Sequence, residues 1–151
     1  MDEDAYRDVY NTVNADRCVF EKALNNRRCE CEKKDRKLIA TREAVGCLSK
    51  AALANCTQFL NTMRQNARFS LKVITIEGPM PHNKELQVQA GGCLQLEKIL
   101  FPDRENNKHA ENIYELVNTG LEQYNDIENF PYSEIVQGIV KYQSRKKRKR
   151  S

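Results

Sequence analysis

Cysteines crowd the first part of this chain: residues 26–56 hold four of the six cysteines in 151 residues. Cys29 and Cys31 stand one residue apart, Cys47 and Cys56 follow, and Cys18 precedes them. Thiolates are soft ligands that select zinc, copper(I) or iron–sulfur clusters. Four of them at one point are the usual ligand set of a structural zinc ion or a cubane cluster. If these thiols share one metal, the first third of the chain must fold around it.

The spacing favours a particular ligand set. Cys29, Cys31 and Cys47 are predicted in hinges between helices, and either Cys18 or Cys56 would complete the site. Positive charge next to thiols lowers their pKa and balances the anionic character of a thiolate-bound centre. The cations expected to tune the site in this way are Arg27, Arg28, Lys33 and Lys34.

Three interpretations of the cysteines compete. Zinc knuckles contain the pattern C-x₂-C, which is absent here, so an iron–sulfur cluster is the favoured occupant and zinc the alternative. The thiols would otherwise be small buried hydrophobes, which suits Cys56 on the apolar stripe of its helix. A thiol switch is the third interpretation.

The composition points to one domain in a reducing compartment. The chain is about one domain long, and no apolar run approaches the roughly 20 residues of a membrane helix. Its N-terminus, MDEDAYRDVY, is acidic where a secretory signal would be basic and then apolar. We therefore expect a cytoplasmic protein without membrane contact, whose cysteines stay reduced.

Periodicity predicts a mainly α fold, with α+β possible: four to five helices and a small central β-ribbon in a single domain over residues 1–143. Helices are expected over 4–28 and 33–45, the second closed by Gly46, and a third begins at the N-cap Ser49. Alternating residues predict strands over 70–77 and 85–92, although one helix over 84–100 remains open. Two further helices follow Pro102 and Pro131.

The last residues, 144–151, are expected to form a disordered basic tail. The whole chain has a net charge of +4, but without the tail's six cations the remainder has 19 basic and 21 acidic side chains. Such a run can contact nucleic-acid phosphates, so the alternative function is a small helical regulatory or nucleic-acid-binding module with core thiols. The contacting residues would be Arg145, Lys146, Lys147, Arg148, Lys149 and Arg150.

No catalytic motif is recognisable, since the chain lacks a Gly-rich phosphate loop, a G-x-S-x-G elbow and an H-E-x-x-H pair. We expect a non-catalytic metal or iron–sulfur protein that serves electron transfer, cluster handling or redox sensing through a protein partner.

Overall fold

A computed structural model describes residues 3–73 and 80–142, and it confirms the mainly α class. The predicted basic tail, including Arg145 to Arg150, lies outside these residues. No helix in the described ranges is both long enough and apolar enough to cross a bilayer. The elements are α1 (Glu3–Val13), α2 (Glu21–Asn25), β1 (Lys34–Ile39), β2 (Arg42–Cys47), α3 (Lys50–Ala67), α4 (His82–Leu86), a π turn (Gln87–Gly91), α5 (Gly92–Leu100), α6 (Ile113–Tyr124) and α7 (Tyr132–Lys141), with 3₁₀ turns at Pro102–Arg104 and Ile127–Asn129.

The predicted helix over 33–45 is wrong, because β1 and β2 form a two-stranded antiparallel ribbon there. Lys34 pairs with Cys47 at the open end, and Ile39 pairs with Arg42 at the turn. Ala40 adopts a left-handed conformation in this turn, with φ 57°. Gly and Asn adopt that conformation far more readily than other residues, and hairpin turns are recognised in sequences by them. Neither residue stands in this turn, so the sequence gives no local signal for the hairpin.

The predicted helix over 4–28 is interrupted after Val13 by a loop that runs to Phe20. Two buried polar side chains hold this loop against β2. The Asn14 amide donates to the Val45 carbonyl over 3.1 Å, and the Val45 N–H donates to the Glu21 carboxylate over 2.7 Å. These bonds to a distant strand satisfy polar groups that a continuous helix would leave apart.

The predicted start of the third helix is confirmed. The Ser49 hydroxyl caps α3 by accepting a hydrogen bond from the Ala52 N–H over 3.1 Å. The strand predicted over 70–77 is not found at its beginning, since residues 70–72 form turns and Lys72 has φ 55°. The rest of that prediction, residues 74–77, lies outside the described residues.

The second predicted strand, over 85–92, is wrong, and the helix left open over 84–100 is what forms. α4, the π turn and α5 run on as one helical rod, since the backbone stays right-handed helical from Leu86 to Gly92. The wide turn lets Gln87 donate to the Ile139 carbonyl over 2.7 Å. Gln89 accepts from the Ala23 N–H over 3.0 Å, so the π turn ties α7 and α2 to the rod.

One hydrophobic core joins these elements. Aromatic rings of Phe59, Phe130 and Tyr132 lie in contact at its centre, with ring centroids 5.5 to 6.5 Å apart. α3 and α7 both pack on the rod, while the ribbon and α2 close one end of the core. That end carries most of the cysteines.

Candidate metal centre

Backbone pairing brings together four cysteines from four separate segments. Residues 16–18 pair with the free edge of β2: the Cys18 N–H donates to the Val45 carbonyl over 2.9 Å, and the Cys47 N–H donates to the Asp16 carbonyl over 2.8 Å. Cys31 begins the turn into β1, where its carbonyl accepts from the Lys34 N–H over 3.3 Å. Cys56 lies in α3, which starts three residues after β2 ends. We call Cys18, Cys31, Cys47 and Cys56 the thiol cluster.

All six pairs within the thiol cluster interact electrostatically. Ionisation of Cys31 or Cys47 raises the pKa of Cys18, ionisation of Cys47 raises that of Cys31, and ionisation of any of the other three raises that of Cys56. The energy of such an interaction falls as the distance between the two sulfurs increases. The four thiols therefore lie in one region of the fold, and Cys93 is linked to this region through Cys31 and Cys56.

Burial is the larger cause of these pKa shifts. It raises the pKa of Cys18 to about 12 and raises the pKa values of Cys31 and Cys56, because partial removal from water disfavours a thiolate. All four cysteine residues are partly buried, whereas Cys29 and Cys93 are fully buried. In the protein alone, Cys18, Cys31 and Cys56 thus carry their protons at neutral pH.

Backbone N–H groups point at two of the sulfurs. Cys18 accepts from the N–H of Phe20, and Cys31 accepts from the N–H groups of Lys33 and Tyr114. Each of these bonds lowers the pKa of its thiol, because it stabilises the thiolate. The Tyr114 N–H is available because it belongs to the first turn of α6, where N–H groups have no partner within the helix.

The predicted ligand Cys29 is buried in the core, next to a thiol, Cys93, that itself interacts electrostatically with Cys31 and Cys56. Its side chain is 1% exposed and hydrogen-bonds to that of Cys93, which is 0% exposed on the rod. Burial is the main reason why the pKa of the Cys93 thiol lies well above its usual value. The hydrogen bond and the charge of Cys29 raise this pKa further. Cys29 and Cys93 thus form a buried thiol pair, and the position of Cys93 beside it was not predicted from the sequence.

The side chains of the four cations that were predicted to lower the pKa of the thiols make contacts elsewhere. Arg27 pairs with Glu43 at 3.3 Å, Lys33 lies 4.9 Å from the centre of the Tyr114 ring, and Lys34 pairs with Glu30. Arg28 lines a surface cleft together with Tyr142. These residues separate because the segment after Cys29 forms a turn and a strand rather than a helix.

The thiol cluster has the chemistry of a soft-metal site without a finished ligand geometry. Within residues 3–73 and 80–142, no three Cys, His, Asp or Glu side chains are already arranged to hold a metal ion. The Cys47 thiol instead donates to the Ser49 carbonyl over 3.2 Å. Ligation at this place would require that bond to break and the four side chains to turn toward a common point.

Comparison with protein-family models, with curated proteins and with solved structures finds no match to this chain. Function therefore has to be inferred from these residues themselves.

Proposed function

We propose that this protein binds a metal centre through Cys18, Cys31, Cys47 and Cys56. The observation that supports the proposal is the backbone pairing of residues 16–18 with β2, which brings Cys18 and Cys47 into one region of the fold. Cys31 and Cys56 belong to the same region, since all six pairs of these thiols interact electrostatically. Four thiolates are a complete ligand set for zinc or for a cubane cluster. Cys29, the fifth candidate, packs in the core with Cys93 and is left out of the set.

The raised pKa values of Cys18, Cys31 and Cys56 mean that these thiols need a nearby cation to ionise at neutral pH. Four neighbouring thiolates repel one another, and their partial burial adds to the cost of ionisation. A bound cation supplies the missing positive charge and deprotonates coordinating thiols outright. The N–H groups of Phe20, Lys33 and Tyr114 would then stabilise the anionic sulfurs as a second layer around the metal.

An iron–sulfur cluster serving electron transfer, cluster handling or redox sensing remains the proposed occupant, with zinc as the alternative. Both use the same four sulfurs, and both would tie the ribbon to the loop before α2 and to α3. Zinc in such a site would have a structural role, because four protein ligands leave no open position for a substrate.

The test exploits the closely spaced pair Cys29 and Cys31. Protein purified without oxygen is analysed for iron, sulfide and zinc and by visible absorption, and the metal-free form is titrated with cobalt(II). We expect one zinc ion or one cluster per chain, lost in Cys31→Ser and retained in the matched control Cys29→Ala. Cobalt in a four-thiolate site would give visible bands that the Cys31→Ser variant lacks.

The controls separate ligation from folding. Both variants are checked by circular dichroism, and Cys56→Ser is added as a ligand variant on a different element. Metal-free protein that folds fully and gives no cobalt bands would refute the proposal. Equal loss of metal in Cys29→Ala and Cys31→Ser, with both variants folded, would refute the ligand set.

A further inference from the structure

A cleft of about 580 Å³ lies between the rod, α7 and the loop before α6. Its volume is within the range of pockets that bind small ligands. The charged and aromatic side chains in its lining are Arg28, Lys98, Lys108, His109, Lys141 and Tyr142. None of the described residues that line it has a carboxylate, and we call it the basic cleft. Outside residues 145–150 the chain has more acidic than basic side chains, so composition alone does not explain this lining.

Close packing of α7 on the rod forms the floor of the basic cleft. A Cβ added to Gly91 would lie 2.7 Å from the Tyr142 Cβ, and one added to Gly138 would collide with the Gln95 side chain. Glycine is therefore required at both close approaches. Since the later residue of the rod lies against the earlier residue of α7, the two helices run antiparallel.

The antiparallel packing places one lysine at each end of this floor. Lys141 is next to Tyr142 and therefore lies beside the start of α5, whereas Lys98 lies near the end of that helix. An α-helix rises about 1.5 Å per residue, so the two lysines are separated by on the order of 10 Å along the rod. An extended anion contacts both ammonium groups at once, which favours a chain of linked phosphates over a single phosphate.

A buried carboxylate fixes the loop that forms a second wall of the cleft. Glu97 is 0% exposed on the rod, and it accepts hydrogen bonds from the Asn107 amide over 3.0 Å and from the Glu111 N–H over 2.8 Å. These bonds use both oxygens of the carboxylate. They also hold the two ends of the segment that contains Lys108 and His109, so these side chains are kept at the cleft.

Backbone pairing brings Arg28 to the same wall. Cys29 forms an isolated parallel bridge with Ala110, so the residues before them, Arg28 and His109, lie side by side. Burial raises the pKa of Tyr142, while the charge of Arg28 lowers it, which places the guanidinium close to the end of α7. The loop, the segment before Cys29 and the two helices thus hold their cations around one cleft.

The lysines of the basic cleft have no countercharge within residues 3–73 and 80–142. No carboxylate in these ranges forms an ion pair with Lys98, Lys108 or Lys141. Glu111, which follows the loop, pairs with Arg104 at 3.7 Å instead. A cleft with one sign of charge concentrates field lines and attracts ions of the opposite sign.

We propose that the basic cleft binds a small molecule that carries two or more linked phosphate groups. Lys98, Lys108 and Lys141 contact the phosphates as point charges, and the planar guanidinium of Arg28 binds phosphate oxygens in pairs. A nucleoside triphosphate and inorganic triphosphate share this chemistry. The proposal does not rest on the metal centre, because no residue of the thiol cluster lines the cleft.

The test measures binding of full-length protein to sodium triphosphate and to ATP by isothermal titration calorimetry. The cleft variant carries three substitutions, Lys98→Gln, Lys108→Gln and Lys141→Gln. The matched control removes the same charge from residues that do not line the cleft, by Lys50→Gln, Lys72→Gln and Lys84→Gln. Circular dichroism checks that both variants are folded, and each cleft substitution is also measured singly.

We expect the cleft variant to bind both ligands at least about tenfold more weakly than wild type, with the control close to wild type. Tighter binding of ATP than of triphosphate would identify a nucleotide as the ligand, and equal binding would identify the phosphate chain alone. Equal affinities of the cleft variant and the control would overturn the proposal, since net charge or the run 145–150, which both variants keep, would then account for binding. Absence of binding to wild type would overturn it as well.

Three further ligands test the chemistry of the cleft. Citrate is a small anion without phosphorus, and cleft-dependent binding as tight as that of triphosphate would overturn the assignment to phosphate. A 20-nucleotide DNA and phosphatidylserine vesicles carry their phosphates on a macromolecule or a membrane. Cleft-dependent binding of either one more tightly than ATP would overturn the assignment to a small molecule.

Discussion

The carboxylate of Glu21 holds the loop that carries Cys18 against β2, and its removal has a calculable effect. Glu21 is 8% exposed and accepts from the Tyr10 hydroxyl at 2.7 Å, the Val45 N–H at 2.7 Å and the Arg17 Nε at 3.1 Å. In Glu21→Gln, the remaining oxygen can still serve Val45, so the loss is about 1 to 2 kcal/mol for the bonds that lose their charge.

Glu21→Ala should cost more. It leaves the Val45 N–H, on a residue that is 0% exposed, without an acceptor, which adds about 1 to 3 kcal/mol. We therefore expect a total near 2 to 5 kcal/mol, or a fall in Tm of about 4 to 20 °C for a domain of this size. Urea denaturation followed by circular dichroism gives both free energies, and exposed Glu122→Gln serves as the control for charge.

Tyr10 supplies a second readout that general destabilisation would not move. Its pKa is raised to about 12, first by burial and then by the hydrogen bond and charge of Glu21. Glu21→Gln removes the charge, so the Tyr10 pKa should fall toward 10 while burial keeps it raised. A Tyr10 titration unchanged in Glu21→Gln, or equal stability of the Gln and Ala variants, would refute this account of the loop.

Two other predictions concern the thiols and the core. Metal-free protein should release at least three protons for each zinc ion bound at pH 7.5, because the raised pKa values keep Cys18, Cys31 and Cys56 protonated until ligation. Calorimetry in buffers of different ionisation enthalpy counts the released protons. Release of none would contradict the ligand set. Affinity should consequently rise with pH. Gly120→Ala should lower the free energy of unfolding by about 1 to 3 kcal/mol, although Ala has the better helix propensity, because the added Cβ would lie 2.5 Å from the Phe130 ring. A variant that melts at the same temperature as wild type would contradict this prediction.

The elements predicted correctly are those with local signals. Ser49 followed by an alanine-rich run specifies the start of α3 without help from the rest of the chain. The ribbon lacked such a signal. Leu38, Ile39 and Val45 fit a helical stripe, yet Leu38 is 73% exposed while Ile39 is 3% exposed, because neighbouring side chains of the paired strand β1 point to opposite faces.

Long-range contacts explain the other differences. The break after α1 depends on bonds from Asn14 and Glu21 to Val45, residues remote in sequence. The alternation in 85–92 reflects buried Leu86, Val88 and Ala90 between glutamines that bind backbone groups, so a helical rod resembled a strand. Crowding of cysteines in the sequence indicated a thiol cluster, but the place of Cys29 in the core depends on its packing with Cys93, which no local pattern reveals.

The π turn at Gln87–Gly91 also sets the rotation of everything that follows it along the rod. An α-helix advances about 100° per residue, so deletion of a single residue from this turn would swing α5 by more than a quarter of a circle. The Cys93 side chain would then lose its contact with Cys29. On another face of α5, Lys98 would turn away from the surface cleft that it lines together with Arg28 and Tyr142. Insertions and deletions within Gln87–Gly91 are therefore far less tolerable than substitutions, although neither Cys93 nor Lys98 lies within these residues.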